Sequence, residues 1–368
     1  MAAIEKLGDI PSAMKAVVVR APNDYRYEDI PVPAVGDDDV LIKVLGAGIC
    51  GSDVKCWHGS PYIWGGPDYP KYIREPVIAG HEFFGKVVAI GPKAAEKHKV
   101  GLGDHVVPEQ IIPCGKCRYC ETGYYYLCGV HDIYGFRQGT AEGGMAEYAR
   151  LPINSRVHKF PESFNLDVAA YIEPLGCAIH GVERGDIQFF DVVAVAGLGP
   201  VGMGMLQACA LKNPKELIAI DLQDKRLKLA AELGATVCLN PSEVDVRAEI
   251  AKLTAGYGVD VYVHASGHPK GVQQGLDIIR KQGRYVEYSV FGENVTTDWS
   301  VIGDGKEINI LGGHLSPWDS YTSAIRFLND GRIKADKIIT HRLPLEKWGD
   351  GFDLAAKGDE SIKVLLIP

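Results

Sequence analysis

The chain has no surplus of positive charge. Its 39 Lys and Arg face 47 Asp and Glu, for a net charge of −8 and a pI near 5.8. The clustered basic face that a nucleic acid or an anionic membrane surface demands is therefore not expected. No uninterrupted apolar run is long enough to span a bilayer. The opening residues, MAAIEKLGDIPSA, carry neither the basic n-region nor the apolar h-region of a secretory signal. Internal repeats and low-complexity segments are also missing. Cysteine occurs nine times. An odd count does not resolve into a disulfide framework, so a reducing, cytoplasmic setting is expected.

What is present suits a packed protein of about two domains: 368 residues, 46% hydrophobic and 23% charged. The N-terminal half is punctuated by Gly, Pro and Asp between short β-branched runs: Met14 to Val19, DDVLIKVLGAGIC and FGKVVAIG. That texture predicts a barrel-like or sandwich domain. From Asp191 strand and helix patterns alternate. DVVAVAG, ELIAIDL, VDVYVHASG, GRYVEYSVFG and INILGGHL read as strands, and VGMGMLQACALK and KRLKLAAELGA as helices. Alternation of this kind predicts a doubly wound parallel sheet, an α/β fold of the Rossmann type.

Four cysteines, Cys114, Cys117, Cys120 and Cys128, follow the spacing C-x2-C-x2-C-x7-C. Pro113, Gly115, Lys116 and Arg118 among them indicate a loop. Tight x2 spacing favours a tetrahedral zinc over disulfides. Four thiolates leave no open position, so this zinc is expected to be structural. The run AGLGPVG places Gly197, Gly199 and Gly202, with Pro200 and Val201 between them, after an apolar strand and at the start of a helix. In that context the glycines read as a dinucleotide fingerprint, with the pyrophosphate on the helix N-terminus. Asp221 ends the next strand. A carboxylate there bonds a ribose 2′-hydroxyl and repels a 2′-phosphate, so NAD is expected over NADP; Arg226, close by, works against that preference.

Cys50 in GICGSD, His81 and Glu82 in AGHE, and Glu173 in EPLG are metal-ligand types that mean little one at a time. Together and in this order with the cysteine lobe and the glycine turn, they resemble the zinc-dependent medium-chain alcohol dehydrogenases over nearly the whole chain from Met14. The resemblance implies a GroES-type catalytic domain split by an inserted NAD-binding Rossmann domain: residues 1–165, then 166–315, with 316–368 returning to the first. It implies a catalytic zinc held by Cys50, His81 and either Glu82 or Glu173, and a structural zinc in the cysteine lobe. A carboxylate at Glu173 resembles the polyol branch typified by sorbitol dehydrogenase. Zinc with one thiolate and two carboxylates would be net negative and would acidify an alcohol poorly, so one glutamate is expected to bind directly at a time.

The resemblance also implies that Ser52 takes the alcohol proton while hydride passes to NAD. Many relatives carry a relay histidine three residues further on. Here that position is Lys55, and His58 is offset from it. Asp53 is expected to orient the turn or pair with a basic group. Trp57, Tyr62, Trp64, Tyr69 and Tyr72 crowd the stretch between Cys50 and His81, either as packing or as a pocket wall. With no arginine in INILGGHL, where His314 lies, a small polyol is favoured over sorbitol: a tetritol such as erythritol or threitol, oxidised at a secondary hydroxyl to the ketose. The alternatives are another dehydrogenase of the family, acting on sorbitol or xylitol, butanediol, threonine or a simple alcohol, and a catalytically silent NAD-binding protein. A homo-oligomer, tetramer or dimer, is implied, with SVFG and INILGG as candidate edge strands. Cys56, Cys177, Cys209 and Cys238 are expected to be buried filler.

Overall fold

The computed structural model describes residues 4–368. The β-branched runs of the first half become β1 (Ala13–Ala21), β2 (Asp24–Pro31), β3 (Asp39–Gly48), β4 (Glu82–Ile90), β5 (His105–Pro108), β6 (Tyr148–Pro152) and β7 (Val157–Phe160). The alternating region supplies β8 (Val192–Ala196), β9 (Glu216–Ile220), β10 (Val237–Leu239), β11 (Val259–His264), β12 (Ile279–Glu287) and β13 (Asn309–Gly312). Two more strands follow, β14 (Ile339–Pro344) and β15 (Lys363–Ile367).

These elements make two units. One comprises the chain up to Glu173 together with Pro317–Asn329 and Ala335–Pro368; the other comprises Pro174–Ser316 and Asp330–Lys334. The return near residue 316 is thus interrupted, because Asp330–Lys334 dips back into the second unit before β14 begins.

In the first unit an eight-stranded sheet runs β7-β5-β4-β3-β15-β14, and off that path β6 pairs β3 and the short strand Glu5–Lys6 pairs β4. Val17, Ile42, Phe83, Val87 and Leu366 are among the buried side chains of its core. The order puts the late strand β15 beside β3, with Leu365 opposite Gly48. It also puts β3 beside β4, with Gly48 opposite Glu82. Three segments far apart in sequence thereby converge on one glycine.

The second unit is a six-stranded parallel sheet in the order β10-β9-β8-β11-β12-β13. All five residues of β8, VVAVA, are buried, as a parallel strand covered on both faces requires. The order reverses between β8 and β11, the place where open sheets of this kind hold ligands. The segment SVFG is not a strand: β12 ends at Glu287 and the chain turns away, so β13 alone forms that edge. Among the described residues no helix is long and apolar enough to cross a membrane.

Candidate metal centres and dinucleotide cradle

Cys50 lies two residues beyond the end of β3 and is the N-cap of the helix Gly51–Trp57. Three residues on, Asp53 folds back: its Oδ2 accepts the Cys50 N–H at 2.9 Å. Its Oδ1 lies 3.5 Å from His81 Nδ1. Asp53 therefore both fixes the turn and orients an imidazole, which leaves Nε2 of His81 as the ring nitrogen for a metal. Burial presses the His81 imidazole down, but the charges of Asp53 and Cys50 outweigh it and hold the group well above its ordinary range. A divalent cation would take the place of that proton.

The donor atoms of Cys50, His81 and Glu82 lie within 4.8 Å of one another. Four donors at about 2.0–2.3 Å from a zinc are roughly 3.3–3.8 Å apart, so small side-chain adjustments close the set. His81 Nδ1 faces Asp53 and Glu82 Oε2 faces Lys363, so the donors left for an ion are His81 Nε2, the second Glu82 oxygen and the Cys50 thiol. Glu173, 3% exposed and in the first turn of the helix Ile172–Arg184, is not one of the three gathered donors. Its charge does reach Lys363.

Lys363 is the residue that sequence reasoning missed. It is 1% exposed; its Nζ pairs with Glu82 Oε2 and donates to the Ile49 carbonyl at 2.9 Å. Burial pulls this ammonium down, yet Glu82, Cys50 and Glu173 raise it above its usual value, so it stays a cation. Gly48 makes the meeting possible. A Cβ on Gly48 would strike the Glu82 carboxylate and come within 3.0 Å of Lys363 Cε.

Ser52 is half-buried on the same short helix. Burial holds the Lys55 ammonium below its ordinary value, against the charge of Cys50. His58 is exposed at the C-cap, six residues and about 9 Å of helix rise from Ser52, too far to receive its proton directly. Most of the aromatic stretch serves packing. Trp57 meets Tyr25, Trp348 and Phe352 edge to face in one cluster, and Trp64 donates to the Cys56 carbonyl at 2.7 Å. Tyr72 bridges the backbone of His131 and Ile133. Tyr62 is exposed and Tyr69 half-buried; their rings meet at a tilt of 36°, with the hydroxyls 3.0 Å apart.

In the cysteine lobe the sulfurs are 3.5 Å (Cys117–Cys120), 3.9 Å (Cys117–Cys128) and 4.0 Å (Cys114–Cys120) apart. Four sulfurs at 2.3 Å from one zinc stand about 3.8 Å apart, so the lobe already has the dimensions of a closed zinc site. Backbone N–H groups of Cys120 and Gly129 pull the Cys117 thiol down to about 6, which favours the thiolate that zinc needs. The lobe is anchored by Tyr125, whose hydroxyl donates to Glu109 Oε1 at 2.9 Å; His158 Nε2 lies 2.9 Å from the same oxygen.

In the second unit Gly197 turns off β8 at φ +89°, and a Cβ there would sit 2.5 Å from Ser266 Cα. Gly199 is the N-cap of the helix Pro200–Leu211, and its Cβ position faces open space, room that a pyrophosphate can fill. Asp221 ends β9 with Oδ2 accepting the Leu198 N–H at 2.7 Å and Oδ1 accepting the Gln223 N–H at 2.9 Å. Arg226 Nη1 stands 3.8 Å from Asp221 Oδ2. The acidic strand end thus braces the glycine turn and is partly balanced by an arginine.

Residues 36–162 match the alcohol dehydrogenase GroES-like domain, and residues 200–330 match the zinc-binding dehydrogenase domain. The chain belongs to the zinc-binding dehydrogenases and is an enzyme of the alcohol and polyol dehydrogenase type. The erythritol/L-threitol dehydrogenase of Mycolicibacterium smegmatis is 45% identical over 359 residues, covering 98% of this chain and 99% of that one. A sorbitol dehydrogenase of Halalkalibacterium halodurans is 32% identical over 360 residues, covering 96% and 99%. A zinc-binding dehydrogenase of Sinorhizobium meliloti, solved bound to NADP, superposes with a TM-score of 0.85 at 29% identity, covering 97% and 100%.

Proposed function

We propose that this enzyme oxidises a secondary hydroxyl of a small polyol, a tetritol such as erythritol or threitol, to the ketose with NAD. The observation that carries the reading is the end-to-end likeness, at 45% identity, to an erythritol/L-threitol dehydrogenase. Cys50, His81 and Glu82 would hold the catalytic zinc, and Cys114, Cys117, Cys120 and Cys128 the structural one. Gly197, Gly199, Pro200, Val201, Gly202 and Asp221 would cradle the dinucleotide. When bound, the catalytic zinc supplies Lewis-acid acidification of the alcohol and the dinucleotide supplies a hydride acceptor.

The chain's own residues do the rest. Asp53 holds Cys50 and His81 in register. Lys363 occupies one oxygen of Glu82 and leaves the other for the metal; it offsets the second carboxylate, Glu173, which acts from outside the direct ligand set. Ser52 would take the substrate proton at Oγ as its own hydroxyl proton passes to solvent, to which it is partly open. The edge strand β13 supports assembly as a homo-oligomer, tetramer or dimer, and the acidic, odd-cysteine composition supports a cytoplasmic setting.

A panel of erythritol, both threitols, pentitols, sorbitol, 2,3-butanediol, threonine and ethanol, read by reduced-cofactor absorbance with NAD and with NADP, tests the reading. Highest kcat/KM on a tetritol with NAD is the expected result; turnover of threonine or ethanol but no polyol would overturn it. Asp221→Ser removes the carboxylate and leaves Arg226 to meet a 2′-phosphate. The NAD-to-NADP ratio of kcat/KM is expected to fall at least about tenfold, and an unchanged ratio would remove Asp221 from cofactor selection.

A further inference from the structure

His264 closes β11 and is fully buried. On the neighbouring strand β12, Glu287 sits opposite it in register. His264 Nδ1 lies 2.9 Å and 3.1 Å from the two Glu287 oxygens and 3.3 Å from Ser289 Oγ. On the other side of the ring, Nε2 lies 2.7 Å from Ser266 Oγ. Ser266 itself is exposed and abuts Gly197 of the dinucleotide turn. The helix Pro269–Ile278 passes over this row with a bare residue: a Cβ on Gly271 would collide with His264 Nε2 and approach Ser266 Oγ to 2.8 Å. An exposed hydroxyl is thus backed by a buried imidazole and a carboxylate, with the packing cleared to allow it.

The chemistry of the row fixes what the hydroxyl offers. Nδ1 faces a carboxylate, so in an imidazole carrying one proton that proton sits on Nδ1 and Nε2 is an acceptor. Ser266 must then spend its only proton on Nε2. What it turns outward is lone-pair density, one share of it already taken by the His268 N–H at 3.2 Å. Such a group binds a hydroxyl and not a phosphate oxygen. Its place in the sheet says which hydroxyl. A dinucleotide lies across the point where strand order reverses, with one nucleoside on each half. Asp221 on β9 marks the adenosine half, and Ser266 follows β11 on the opposite half.

We propose that Ser266, positioned by His264 and Glu287, is an acceptor subsite for a ribose hydroxyl of the nicotinamide nucleoside. The inference rests on the dinucleotide reading above, and the test separates the two. Affinities for ADP, ADP-ribose and NADH are measured by calorimetry at pH 8 for the wild-type protein, Ser266→Ala, Glu287→Leu and Glu287→Gln. Ser266→Ala alters an exposed residue, and its fold is checked by the melting temperature. The subsite predicts that Ser266→Ala weakens ADP-ribose and NADH alike by about fivefold and leaves ADP unchanged, the loss of one neutral hydrogen bond. Glu287→Leu, which frees the tautomer, is expected to weaken the same two ligands, and Glu287→Gln, whose amide oxygen still accepts from Nδ1, to restore them. A loss confined to NADH would place the contact on the nicotinamide, and equal affinities throughout would show no contact; either overturns the proposal. Failure of the wild type to bind any of the three would instead overturn the dinucleotide reading.

Discussion

Lys363→Met is expected to destabilise the zinc-free protein by about 3–5 kcal/mol, the cost of leaving one member of a buried ion pair alone. Glu82 is 1% exposed, so water cannot take over from the lysine. A bound zinc can, because Glu82 then has another cation beside it. The variant should therefore recover more stability from added zinc than the wild type does, which paired chemical-denaturation curves with and without metal would reveal. Activity should fall as well. With Lys363 gone, a thiolate and two carboxylates surround the metal with no compensating charge, and the field that acidifies the alcohol weakens. A fall in kcat of at least about tenfold at neutral pH is expected, with the rise of kcat moved to higher pH. Lys363→Arg, which keeps the charge, should retain the stability. A Met variant with wild-type denaturation midpoints would show that the ion pair contributes nothing.

The second large effect concerns the cysteine lobe. Cys120→Ala is expected to reduce bound zinc from about two equivalents to about one and to cost several kcal/mol of stability. The damage should spread beyond the loop. Tyr125 lies between Cys120 and Cys128, and its hydroxyl serves the buried Glu109, whose other oxygen has no hydrogen-bond partner. Arg156 packs over the Tyr125 ring at 3.9 Å, and the His158 ring lies 3.7 Å from that of Trp318 in the helix Trp318–Asn329. Loosening the lobe strips Glu109 of a donor and frees one wall of that stack. Limited proteolysis should cut between residues 114 and 128 first. Intact zinc content and wild-type protease resistance in the variant would rule out a metal held by these cysteines.

Legibility in the sequence followed locality. The four cysteines and the glycine turn with Asp221 are local patterns whose spacing exposes their chemistry, whereas Cys50, His81 and Glu82 gained meaning only from the family resemblance that orders them along the chain. The parallel sheet was legible because strand and helix patterns alternate from Asp191 onward, starting with the apolar run VVAVA. Lys363 was not, because its partner, Glu82, is brought near only by the order β4-β3-β15, and no periodicity in the chain encodes which strands become neighbours. His264 and Glu287 escaped notice for the same reason: they face each other through strand register, and each alone reads as an ordinary strand end. The aromatic residues from Trp57 to Tyr72 show a choice that composition cannot make. Their composition left packing and a pocket wall equally open, and the specific partners of Trp57, Trp64 and Tyr72 make those three packing.

The placement of β15 also bears on synthesis. Ile49 and Lys363, which share a hydrogen bond, are 314 residues apart, and the whole second unit is translated between them. At about 5–20 residues per second, a nascent chain holds Glu82 without its cation for roughly fifteen seconds to a minute. Over that interval the first sheet lacks the strand that pairs with β3 on that side, and its acidic centre has only solvent or a captured metal ion to balance it. The inserted unit, continuous apart from five residues, can fold while the first one waits. The metal centre thus matures only after the inserted unit has been translated, and a chain released before Lys363 carries an unneutralised carboxylate in an incomplete sheet, the kind of exposed edge that quality-control proteases and chaperones engage.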